Sequence, residues 1–231
     1  MKQKNVSWVT ITLFVLGTAI FLFPKTANAQ GVEVFESLDI RFGNIRAGYC
    51  DPADPTIGVI TSSTPDSAVV FGAPPAGQCV PVLGTDGIQM TLGEFKAPHG
   101  TAKVTCVNQG TLVNVHMSGL EPGGVYTVWA FIDVVTPTSV VAGTALGSVA
   151  GDETFRNAFR ASASGEGQLT LIQPEGAGTV LPASIPGCLL GIAIPNRVVR
   201  LLIGYHVDGT TNGPVPGPAT NFFGQERILL L

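Results

Sequence analysis

Thr111-Leu112-Val113-Asn114-Val115-His116-Met117, then Glu121-Pro122-Gly123-Gly124, then Val125-Tyr126-Thr127-Val128-Trp129-Ala130-Phe131-Ile132: these successive stretches decide the fold class. In the first, Val113, Val115 and Met117 alternate with Leu112, Asn114 and His116, the period of two expected of a strand with one face on a core. The second is a turn made of residues that fit tight backbone bends. The third is rich in the β-branched and aromatic side chains that suit a pleated surface. Together they predict a β-arch or hairpin.

Working outward, the same grammar continues. Phe155 and Phe159 share a parity across residues 154–161, residues 162–167 supply a turn, and Gln168 to Ile172 reads as the returning strand. Val198 to Val207 sets Leu201, Ile203, Tyr205 and Val207 against Leu202, Gly204 and His206, and Arg227 to Leu231 closes the chain with an apolar strand. The 29 glycines and 17 prolines leave little room for an uninterrupted helix. Many short strands with frequent turns predict an all-β fold, an antiparallel β-sandwich of Ig-like or jelly-roll-like type. Residues 101–231 carry its core. Residues 30–100 are less regular, with candidate strands at 58–61, 68–71, 80–83 and 88–95 between Pro- and Gly-rich connections, and are read as part of the same domain. A membrane barrel would need many segments of about ten residues with aromatic girdles, and 7% aromatics in short runs argue against it.

Residues 1–29 have the order of a signal peptide. Lys2 and Lys4 precede an apolar run from Trp8 to Phe23, and Ala27-Asn28-Ala29 fits an A-x-A cleavage site. Cutting after Ala29 leaves Gln30 first and makes the mature chain secreted or periplasmic, with no membrane span. The formal charge of −4 becomes more negative when Lys2, Lys4 and Lys25 leave with no acid. Such a surface repels phosphates and excludes a nucleic-acid partner. Cys50, Cys79, Cys106 and Cys188 are an even set in an exported chain, which reads as disulfides. Four cysteines allow three pairings, and sequence alone does not choose. Cys50 with Cys79 and Cys106 with Cys188 is preferred, because the first closes a loop rich in Pro, Gly and Asp.

Leu120-Glu121-Pro122-Gly123-Gly124-Val125-Tyr126 has the L-x-P-G-x-x-Y spacing of fibronectin type III domains, in which it forms a tyrosine corner. More broadly, Gly119 to Trp129, with a late strand entering the His- and Gly-containing stretch Arg200 to Gly217, resembles poorly characterised exported bacterial β-sandwich proteins with a G-L-x-P-G-x-x-Y-T-x-W motif. That resemblance implies a sandwich and no particular activity.

The residues that bear chemistry are few. His99, His116 and His206 are the only histidines, and His206 with Asp208 lies two apart on one strand face, so His116, His206 and Asp208 form the candidate metal set. Surface or hydrogen-bonded roles are the competing reading for each. Gly147-Ser148 lacks the flanks of a nucleophile elbow. Asp51 with Asp54, Asp152 with Glu153, and Glu166 with Glu175 are near acid pairs that polar turns explain. Tyr126, Trp129 and Phe131 would stack on sugars if any faced outward, and are core otherwise. The expectation is an exported non-enzymatic sandwich with a structural or binding role and no cofactor. A metal-dependent protein built on the His116 set and a glycan-binding module are the alternatives, and any partner is a protein or a glycan.

Overall fold

The computed structural model describes residues 29–34, 44–73, 78–135, 138–152, 154–190 and 197–230. Apart from Ala29, the leader lies outside them. The elements in order are β1 (Ala29–Val34), β2 (Ile45–Ala47), β3 (Val70–Gly72), β4 (Val80–Pro81), α1 (Leu92–Lys96), β5 (His99–Val107), β6 (Gly110–Ser118) and β7 (Val125–Val135). There follow β8 (Thr138–Ala145), β9 (Ala158–Arg160), β10 (Gly167–Gln173), β11 (Gly176–Ala177), β12 (Ser184–Ile185), β13 (Arg197–His206) and β14 (Phe222–Leu230). No helix among the described residues is long and apolar enough to cross a membrane.

The fold is all-β and antiparallel. Its main sheet runs β10-β6-β5-β1-β14-β13-β7-β8, with β9 paired to β7 beside β8. The path folds over so that β5 and β6 face β7, β13 and β14. Val104, Val113, Val115 and Met117 share one buried cluster with Tyr126, Val128, Leu201, Ile203, Tyr205 and Ile228. The alternation expected of residues 111–117 and 198–207 therefore holds at the core face. β6 pairs with β5 and β10, whereas β7 pairs with β13, β8 and β9, so the link between β6 and β7 is an arch crossing from one layer to the other.

The outward face of the second layer is buried as well. Trp129, Phe131, Ala145 and Leu202 form a second apolar cluster, with Phe155, Val180 and Phe222 packed on it. Burying each large side chain contributes about 1.5–3 kcal/mol. Within this layer Asp133 and Arg200 form a buried ion pair, and the guanidinium lies 4.8 Å from the Phe131 ring centre.

Residues 44–98 attach to the open end of the sandwich. β2, β3 and β4 make a small sheet of their own, yet Ile45, Val70, Val82, Leu92 and Phe95 belong to the main core cluster. Gly72 lies under the Phe223 ring of β14, where any β-carbon would overlap it. Both disulfides pair as preferred from the sequence, with Cα separations of 5.8 Å for Cys50–Cys79 and 5.3 Å for Cys106–Cys188. These separations fit ordinary bridge geometry.

Four local expectations need correction. Residues 92–96, overlapping the run 88–95 read as strand, are helical because Thr91 and Glu94 form a reciprocal capping box and Leu92 and Phe95 are buried one turn apart. Residues 58–61 are turn and loop, and the short strand falls at β2 instead. Phe155 and Phe159 do not share a face, because the paired strand here covers only Ala158–Arg160. Phe155 packs in the outer cluster and Phe159 against the inner one, stacked on Tyr126 at 5.5 Å. Nor does residue 168–172 return alongside it, since β10 pairs with β6.

Candidate functional site

The polar residues of interest gather where the arch, the 83–88 turn and the end of β13 meet. Across the outward face, register places Phe222, His206, Val125 and Arg160 in one row over β14, β13, β7 and β9. Side chains directly opposite in such a ladder share a face. Arg160 is fixed at the corner by an Nη1 hydrogen bond of 2.6 Å to the Gly123 carbonyl. Two shallow grooves border it. One, of about 570 Å³, is lined by His116, Ser118, Ser162, Glu166 and Gln168. The other, of about 560 Å³, is lined by Thr85, Tyr205, His206 and Asp208.

The corner itself is a hydrogen-bonded joint. The Glu121 N–H donates to the Tyr126 hydroxyl at 2.8 Å, closing the arch over five residues. The Glu121 carboxylate accepts from the N–H and hydroxyl of Thr85, and the Tyr205 hydroxyl donates to the Leu83 carbonyl at 3.0 Å. Burial pushes both phenols far above their usual range, so they stay protonated and act as neutral hydrogen-bonding groups.

His206 is buried, with 1% of its surface exposed. The Trp129 indole N–H donates to the Thr127 hydroxyl at 3.0 Å, and that hydroxyl shares a 2.8 Å hydrogen bond with His206 Nε2. When the hydroxyl donates to Nε2, the proton of the neutral ring sits on Nδ1, which is buried without a partner. Burial holds the imidazole below its usual range, and nearby Asp208 offsets this only in part. For Asp208, burial acts to raise the carboxyl, but hydrogen bonds from Thr210 and Asn221 together with His206 outweigh it and hold it below the usual range. Its oxygens accept from the Thr210 N–H at 3.0 Å and the Asn221 amide at 2.9 Å, which ties down the 207–221 loop.

The three residues of the candidate metal set are thus divided. His116 is exposed on β6, opposite Thr101 and Gln168, and borders one groove, while His206 and Asp208 border the other. No three His, Cys, Asp or Glu side chains among the described residues group as donors for an ion. His99 donates from Nδ1 to the Ala97 carbonyl at 2.9 Å. Tyr126 and Trp129 are fully buried and Phe131 is 8% exposed, so none stands at the surface to stack on a sugar.

Glu153 lies outside the described residues, and most of the remaining candidates organise turns. Asp51, Asp54 and Asp152 each accept a hydrogen bond from a backbone N–H two residues on. Ser148 is buried in the turn after β8, where Gln173 bridges the Gly147 N–H and the Ser148 carbonyl. Residues that sequence reasoning passed over include Arg160, Thr127 and the Asp133–Arg200 pair. The last carried a readable signal, a lone acid inside the apolar strand β7 and an arginine flanked by apolar residues inside β13. No protein-family model matches the chain, and no curated protein matches it in sequence.

Proposed function

We propose that this chain is an exported, non-enzymatic β-sandwich whose role is structural or to bind a partner, with the surface around Arg160 as its contact face. The observation that best supports this reading is the employment of the side chains that carry chemistry. All four cysteines are bridged, Tyr126, Tyr205, Asp208 and Gln173 each hold a turn or a loop in place, and His206 is hydrogen-bonded to Thr127 of the neighbouring strand. Two disulfides are compatible with a compartment outside the reducing cytosol, and the leader pattern points the same way. What the framework leaves available is the polar rim of the two grooves.

The test is a turnover screen of the purified exported protein on chromogenic ester, peptide and glycoside substrates, run beside His206→Gln. The expected result is no turnover that depends on His206. Hydrolysis of any substrate that disappears in the variant would overturn the reading.

A glycan partner is the second reading, supported by Ser162, Glu166 and Gln168 beside Arg160, which offer the donors and acceptors that sugar hydroxyls need. Titrating soluble chitin and cellulose oligosaccharides into isotope-labelled protein should then shift amides at 160–168. Unmoved amides with every sugar would remove this second reading.

A further inference from the structure

The bond expected to be cut during export lies inside the folded sheet. Ala29 pairs with Val104 and Gln30 with Lys103 of β5, and from Gly31 onward β1 pairs with β14 on its other side. A peptide recognised as an extended strand needs its main-chain groups free. With residues 29–30 laddered to β5 and residues 31–34 to β14, the segment is held in the sheet along its length, so cutting precedes the docking of β1. The new terminus is made on an open chain and only afterwards joins the ladder.

That terminus is a glutamine, the residue whose side-chain amide its own α-amine can reach through a five-membered ring. Building on the export reading above, we propose that Gln30 is a modification site at which the mature chain closes to a pyroglutamyl lactam. The α-amine attacks Cδ of the side-chain amide, the new C–N bond replaces the Cδ–Nε2 bond, and ammonia leaves carrying the proton that the amine gives up. Reactant and nucleophile belong to one residue, so no oxidant or co-substrate is required and proximity favours the step.

The position selects the lactam over the free amine. An α-ammonium at residue 30 would enter the sheet opposite Lys103, a like charge. Two like charges opposite each other in a ladder are unfavourable, and removing the terminal charge removes that repulsion. The lactam is neutral and keeps one N–H to donate.

Intact mass and N-terminal sequencing of protein recovered from an exporting host decide the matter. A chain that begins at residue 30, lighter by one ammonia than the glutamine form and closed to Edman degradation until pyroglutamyl peptidase treats the denatured protein, is the expected result. A chain beginning at residue 30 with a free amine overturns the lactam and leaves export standing. A retained leader, or a start elsewhere, overturns both. As a second measurement, Gln30→Ser keeps a free amine, and its melting temperature should climb relative to wild type between about pH 7 and about pH 9 as that amine loses its proton. Identical pH profiles for the two proteins would also overturn the proposal.

Discussion

Residues 45–97 and the strands from His99 onward send apolar side chains into one core, but they are held in different ways. The later part uses strands of up to 11 residues, paired in register over most of their length, so each inward side chain is placed by the ladder on either side of it. The earlier part has strands of two or three residues, one short capped helix and a disulfide. Short strands of this kind are marginal alone. The difference teaches that in this chain a bridge and a few side-chain hydrogen bonds stand in for main-chain ladders wherever proline and glycine keep the segments short.

The largest break in that comparison should come from the sandwich side. Trp129→Ala removes a fully buried ring from the outer cluster along with its hydrogen bond to Thr127. Urea unfolding should show a loss of about 3–5 kcal/mol, with both regions failing together. A loss near zero would mean that the outer cluster is not part of the cooperative unit. Next in size is the double change Cys50→Ser with Cys79→Ser, which frees a loop with ends 29 residues apart. The expected loss is about 2–4 kcal/mol. Hydrogen exchange should place it between residues 45 and 95, leaving β6, β7 and β13 protected, and equal loss in both regions would erase the distinction drawn here.

The smallest effect is a slope with pH. The folded imidazole of His206 is held below its usual range by burial, so the unfolded chain binds the proton more readily. Stability is therefore lost as pH falls below about 6.5, until the folded group also protonates. Asp54, Asp152 and Asp208 are held low by hydrogen bonds, and their contribution is lost only below about pH 4. His206→Gln should flatten the upper part of the profile and leave the acid limb unchanged, as read by melting temperature. An upper limb that survives the substitution would assign the slope to another group.

The legible parts of the fold were those where one physical rule acts alone. The alternation of Val113, Val115 and Met117, and of Leu201, Ile203 and Tyr205, reports the core face directly, and the even cysteine count reports the bridges. Where two rules compete the reading failed. Residues 88–95 look like a strand until the Thr91–Glu94 cap is recognised, and Phe155 follows Phe159 in parity only if the strand extends that far. The candidate site was less legible. His206 looked outward by alternation, and it is, but a second layer of loop and aromatic rings covers that face. No periodicity announces a loop that folds back from residues 207–221.

Leu230 of β14 is the register partner of Gly31 in β1, while Cys106 and Cys188 are joined across 82 residues. Tension applied at those two outer positions would unzip neighbouring strands one pair at a time, the weak direction for a sheet. The covalent bridge carries the load past everything from β6 to β12, so under force those elements add no length, and the protein behaves as a short tether with an inextensible middle.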